Sequence, residues 1–225
     1  FTPVAYQGPG SVNGWGDITE GFTMQYTWTV PHDVQGYINL AGKKLFEKRL
    51  DDLFTVELPD DIPGAHDIQG RIGGYWHGNE PCHHIAYLYN YLGKPWKCQK
   101  WIREIVARFY GNEPGSLSGN DDCGQMSAWY VLAAAGLHPA CPGDTRMEIT
   151  SPVFDRIELR LDPAYAPGGT FTVVAHGNSP SNVYIQRAVL NGREHTASHI
   201  DFADIAAGGT LELYMGDTPN TRWGI

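Results

Sequence analysis

The segment His77-Gly78-Asn79-Glu80-Pro81-Cys82-His83-His84 gathers three histidines, an amide and a carboxylate within eight residues. The plainest role for Glu80, just before a proline that opens a helix, is capping. Two chemical readings stand beside it. His77, Glu80 and His83 offer the nitrogen and oxygen donors that zinc accepts. Gly78 and Pro81 prevent the two histidines from sharing one helix face, so this is not the helical HExxH arrangement. Alternatively, Asn79 and Glu80 supply hard oxygen donors for calcium, and the histidines hydrogen-bond sugar hydroxyls.

A second group is Gly119-Asn120-Asp121-Asp122-Cys123-Gly124-Gln125-Met126-Ser127-Ala128-Trp129-Tyr130. Two adjacent carboxylates open an apolar helix. Capping again is the simple reading, but a helix N-terminus also favours an ionised carboxylate, as a general base requires. Gly-Asn-Glu-Pro recurs at 111–114, so such short strings are not specific by themselves. A third stretch, Glu20 to Asp33, is aromatic with a carboxylate beside Gly21. A glutamate against an aromatic wall has the raised pKa of a general acid. Separated carboxylates on loops, with many aromatics and amides, form the composition of a carbohydrate site. Inverting glycosidases set one protonated and one ionised carboxylate roughly 6.5–9.5 Å apart to admit a water.

These groups must be carried by something. The chain has 225 residues, 42% hydrophobic and 18% charged, with 27 Gly and 15 Pro. That excludes a disordered chain. A net charge of −9 argues against nucleic acid as partner, and no apolar run approaches the ~20 residues of a membrane span. Four cysteines with no CxxC pair argue against a cysteine zinc site.

The apolar spacing of Leu45/Phe46, Leu50 and Leu53/Phe54 predicts a helix over 37–54. Further helices are expected from Pro81 to about Gly93, from about Pro95 to Tyr110, and from about Asp122 to Ala135. The last is apolar nearly all round and is expected to be buried. Residues 55–79, crowded with Gly, Pro and Asp, read as a long functional connection. After Pro142 the period changes to two. Strands are expected over 154–161, 170–175, 183–190 and 210–214, with a hairpin turn at Asn191-Gly192.

The strings HGNEPCHHIAYLYNYLGKPWKCQKWIREIVARFY, GNDDCGQMSAWYVLAAAGLHPACPG and SPVFD closely resemble the exo-acting α-mannosidases of glycoside hydrolase family 92. EGFTMQYTWTVPHDVQGYINLAG and the closing LNGRE…GGTLELYMGDTPNTRWG match as well, so the resemblance spans nearly the whole chain. It implies a mainly α fold with a β-rich C-terminal part. Residues 1–142 would be the C-terminal portion of an (α/α)6 toroid, and 143–225 a small antiparallel β unit. The family's N-terminal β-sandwich and first toroid helices would lie in a missing portion of the same protein.

The resemblance further implies a calcium-dependent inverting enzyme acting on terminal α-linked mannose of oligosaccharides or N-glycans, commonly α-1,2-linked. Export to the periplasm, cell surface or medium is implied by the family alone. Glu20 falls at the general acid and Asp122 at the base. Asn120 stands where an assisting aspartate is frequent and cannot ionise; Asp121 stands where glutamate is frequent, and Met24 where many members have tryptophan. His77, Glu80, Gln25 and Asp121 would bind sugar, and Asn79 and Glu80 would hold Ca2+. The alternatives are another inverting (α/α)6 glycosidase, a calcium-dependent sugar-binding module without catalysis, and a zinc hydrolase.

Overall fold

The computed structural model describes residues 21, 23–57 and 69–225. The chain divides into two compact units, each drawn from two stretches: 1–85 with 107–127, and 86–106 with 128–225.

The described part of the first unit opens with a short helix α1 (Thr23–Tyr26), then α2 (Val34–Ala41) and α3 (Lys43–Thr55). Asp33 caps α2 by accepting a hydrogen bond from Gly36 N at 2.9 Å. The single helix expected over 37–54 is therefore two. Gly42 takes φ 83°, which only glycine adopts without a steric penalty, and it turns the chain between them. Each helix buries one stripe, Val34 and Ile38 in α2 and Phe46, Leu50, Leu53 and Phe54 in α3, whereas Leu45 of the expected stripe is 40% exposed. Phe46 meets Trp28 edge-on at 5.0 Å and Tyr37 at 5.1 Å between ring centroids. Within the long connection sits a two-stranded hairpin, β1 (Arg71–Ile72) and β2 (Tyr75–Trp76).

In place of the helix expected from Pro81 to Gly93 there are 3-10 turns at Glu80–Cys82 and Ile85–Tyr87 and one turn of α-helix, α4 (Leu88–Tyr91). Helix α5 (Pro95–Phe109) agrees with its expected span, and α6 (Gln125–Ala135) starts three residues later than expected. Within α6, Met126, Trp129 and Ala133–Ala135 are buried, but Val131 is 61% exposed among the described residues. The expected all-round burial is thus not reached, because the described chain covers only part of its apolar circumference.

The second unit holds the β structure. Strands β3 (Leu137–His138), β4 (Arg146–Ile149) and β9 (His199–Asp201) form one sheet. The other has the order β5-β6-β10-β7-β8, with β5 (Arg156–Arg160), β6 (Thr170–His176), β7 (Tyr184–Leu190), β8 (Arg193–Glu194) and β10 (Gly209–Gly216). A short helix α7 (Phe202–Ala206) follows β9. The larger sheet corrects the antiparallel expectation at one place: β10 runs parallel to β6, with Leu211 opposite Val173. The chain between them is long enough to cross over and enter from the same end. Asn191 (φ 51°) and Gly192 (φ 77°) make the expected tight turn from β7 to β8. Leu211, Leu213 and Met215 alternate inward and join Phe171, Val173, Ile185, Ile149 and Ile200 in one apolar cluster. Helix α5 is fastened to this unit by polar side chains. Gln99 Oε1 accepts from Ile185 N at 2.9 Å, and Arg103 donates to Asn178 Oδ1 and to the Ser179 carbonyl.

Candidate active site

All the described candidate residues fall in the first unit; Gln25 lies on α1 and the others on the segments between the longer helices. The hairpin sets the first of them. Its pairing continues outward through His77 N to Gly70 O at 2.8 Å and Gly78 N to Gln69 O at 3.0 Å. Gly78 is glycine for want of space: a Cβ there would lie 2.4 Å from the Ser118 carbonyl oxygen and 2.9 Å from that of Gln69. The strap carrying His77 to Glu80 is thus pressed against the loop that leads to Asn120. A cavity of about 240 Å³ opens along that loop, beside Tyr110 and Ser116.

His77 is fully buried. Its Nδ1 lies 2.9 Å from Tyr75 Oη and its Nε2 2.7 Å from Tyr110 Oη. Tyr110 donates its own proton to the Met126 carbonyl at 3.2 Å. Tyr110 therefore receives the Nε2 proton of His77, and Nδ1 of a neutral ring accepts from Tyr75. His83, also buried, donates Nε2–H to the His77 carbonyl at 2.9 Å, which leaves Nδ1 to accept from Gln125 Nε2 at 3.2 Å. Burial lowers the His83 pKa to about 4, opposed by its hydrogen bond to the His77 carbonyl; the neighbouring Asp122 also raises it. His84 instead donates to the Trp28 carbonyl at 2.7 Å, and burial lowers its pKa too. Burial pushes the Tyr75 and Tyr110 phenols up, with the Asp121 charge adding to the rise at Tyr110.

The zinc reading of His77, Glu80 and His83 is corrected here. Each of the two imidazoles has both nitrogens in hydrogen bonds, and no group of three or more His, Cys, Asp or Glu suited to a metal occurs among the described residues. Asn79 and Glu80 stand side by side at the strap's end. Asn79 is buried, takes an extended conformation and uses no side-chain cap bond; Glu80 is half-buried and is the first residue of the 3-10 turn. Gln25, buried on α1, donates to the Gly74 carbonyl at 2.9 Å and so ties α1 to the hairpin.

The two carboxylates before α6 are separated by their backbone. Asp121 Oδ1 accepts from both Ser127 N (2.9 Å) and Ser127 Oγ (2.8 Å), while its carbonyl accepts from Gly124 N and Met126 N. It caps the helix. Asp122 (φ 47°), Cys123 (φ 58°) and Gly124 (φ 95°) then lie in the left-handed region in succession. For the two non-glycine residues this conformation is uncommon and strained. It turns Asp122 away from the cap, and Asp122 is exposed. Asn120 is exposed on the same loop. Glu20 lies outside the described residues.

The sequence reading did not single out Tyr75, Tyr110, Gln125 or Ser127. Gln125 and Ser127 lie within the motif at 119–130, but an aspartate capping a serine six residues on follows no local capping pattern. The tyrosines carry no spacing signal at all.

A model of the glycosyl hydrolase family 92 catalytic domain matches residues 2–217. The chain belongs to this family. It is 61% identical, with a TM-score of 0.92, to a family 92 α-mannosidase from Bacteroides thetaiotaomicron solved in complex with mannoimidazole; the match covers 100% of this chain and 29% of that one. It is 35% identical, with a TM-score of 0.77, to a family 92 inverting mannosidase from the same organism, over 92% of this chain and 29% of that one. An uncharacterized secreted glycosidase of Arthroderma benhamiae is 33% identical over 196 residues, 87% of this chain and 23% of that protein. The chain thus spans less than a third of the length of these proteins.

Proposed function

We propose that this chain is the base-bearing portion of a calcium-assisted inverting exo-α-mannosidase, cleaving terminal α-linked mannose (α-1,2 in first place) from manno-oligosaccharides or N-glycans. The observation that carries the reading is the turn before α6 in a family 92 chain: one carboxylate, Asp121, is consumed in capping, and the other, Asp122, is turned outward. Asp122 takes a proton from a water whose oxygen attacks the anomeric carbon. Glu20 gives its proton to the departing glycosidic oxygen, and mannose leaves with inverted configuration. Asn120, unable to ionise, contributes at most a hydrogen bond to that water.

The residues fit calcium better than zinc. With the nearby imidazole nitrogens already in use, the donors at the strap's end are the oxygens of Asn79 and Glu80, which suit a hard cation. Asn79 and Glu80 would hold the ion, and bound there it would orient and polarise the sugar's hydroxyls. Glu80 and Gln25 would line the mannose subsite. Exposed Leu40 (81%) and Val131 are apolar helix positions that the rest of an (α/α)6 toroid would cover. The name of the Arthroderma relative supports a secreted protein.

The test is mannose release from α-mannobiosides of each linkage by the complete protein, with calcium and then with EDTA, followed by NMR of the first-formed anomer. Release of β-mannose that stops with EDTA and returns with calcium is expected. First-formed α-mannose would overturn inversion, and activity indifferent to EDTA would overturn the metal. Calcium and mannose bound without release would turn the reading to a sugar-binding module.

A further inference from the structure

We infer that Gln125 and Tyr110 are positioning residues that latch the Asp122 turn to the strap bearing Asn79 and Glu80, acting through His83 and His77. The inference rests on the assignment of Asp122 as base in the preceding reading.

The base turn is held locally by the Asp121 cap and by Gln125 N–H to the Asp122 carbonyl at 3.2 Å, but none of these bonds ties it to the strap. Its three left-handed residues are followed at once by Gln125 and Met126, the first residues of α6. Both of these are bound to the strap. The Gln125 side chain donates to His83 Nδ1, and the Met126 carbonyl accepts from Tyr110, which accepts from His77. His83 in turn donates to the carbonyl of His77, so the two bonds from α6 converge on one residue of the strap. His77 is also the residue held by the hairpin, through Tyr75 and through its own N–H to Gly70 O.

This arrangement gives His77 a role other than sugar contact. Its ring is buried with both nitrogens engaged, so it sets distance between two loops. A water-activating carboxylate and the sugar-holding groups must keep a fixed separation. A misplacement of about 1 Å costs on the order of a hundredfold in rate. The Gln125 half of the latch is one side-chain hydrogen bond from an exposed residue, which makes it separable from folding.

The test uses Gln125→Met in the complete protein, which keeps the length of the side chain and removes the donor. On an aryl α-mannoside, kcat is expected to fall about ten- to a hundredfold with KM nearly unchanged. Tyr110→Phe should act in the same sense. The decisive arm repeats Gln125→Met on an Asp122→Asn background, where no further loss is expected because the group being positioned is gone. A rise in KM at constant kcat would make Gln125 a substrate contact and overturn the latch. So would an equal loss in both backgrounds. If Asp122→Asn is inactive and Gln125→Met is fully active, the latch alone falls. If Asp122→Asn keeps its turnover, the base assignment falls and takes the latch with it.

Discussion

Among the described residues, each unit contains a polar network centred on buried side chains, and the two are built on opposite electrostatic plans. In the first unit Tyr75, His77, Tyr110, His83 and Gln125 are joined by neutral hydrogen bonds whose tautomers are dictated by the carbonyls of His77 and Met126. In the second unit the network is ionic. Glu148, fully buried, pairs with Arg146, accepts from Asn90 Nδ2 at 2.8 Å, and Arg146 lies over the Tyr91 ring at 4.1 Å. Burial pushes the Glu148 carboxyl up, while Arg146 and Asn90 draw it down. The difference is instructive. A charge frozen beside a catalytic carboxylate would shift that carboxylate's own titration, whereas a neutral relay fixes geometry and leaves the field to the reacting groups. In the second unit the same ion pair on β4 gives Asn90 and Tyr91 of α4 a charged partner to pack on.

The largest effects should separate the two networks cleanly. Asp122→Asn is expected to lower kcat for mannoside hydrolysis by about a thousandfold while the melting temperature stays where it was. Glu148→Ala leaves the half-buried Arg146 without its carboxylate and the buried Asn90 short of an acceptor, and should destabilise the protein by about 1.5–3 kcal/mol, read by chemical denaturation, with turnover per folded molecule unchanged. A loss of kcat in Glu148→Ala at full folding would erase the contrast.

A smaller effect concerns pH. The folded-state pKa of His84 is lowered, mainly by burial, so the unfolded chain binds a proton more readily. The stability tied to this is present above the unfolded pKa of about 6.5 and is lost as pH falls toward the folded value. His84→Gln keeps a donor for the Trp28 carbonyl and should shrink the drop in unfolding free energy between pH 7 and pH 5. Equal drops in the two proteins would show that His84 is not the titrating group.

The smallest concerns the cap. Asp121→Ala should cost about 1 kcal/mol, and Asp121→Asn, which keeps an acceptor for Ser127, only a few tenths. A raised KM in Asp121→Asn at unchanged stability would return Asp121 to the sugar subsite.

Regular elements were readable where one period governed them. The alternation of β10 and the three-to-four spacing of α3 and α5 appear as expected. Where two rules competed, the reading failed. Gly42 divides the helix expected over 37–54 because its positive φ outweighs the helical pattern around it. Cys123 and Gly124 delayed the start of α6 although Asp121 and Asp122 are good capping residues. The parallel pairing of β10 with β6 depends on a partner far along the chain, which no local period records. In the site, the motif residues of the strap and the base turn could be picked out by type. Their partners could not, since Tyr110 meets His77 across 33 positions and Gln125 meets His83 across 42.

The direction of the bonds around His77 has a consequence of its own. Protons point one way along the line: from Tyr75 to His77, from His77 to Tyr110, and from Tyr110 to a carbonyl that can only accept. His77 cannot move its proton to Nδ1 without both tyrosine hydroxyls turning and Tyr110 leaving the Met126 carbonyl. The line therefore behaves as a single cooperative unit, and the segment it fastens moves as a whole or stays still. Opening the line exposes all three protons together, so the Tyr75 and Tyr110 hydroxyl protons and the His77 Nε2 proton should exchange with solvent at one common rate by NMR.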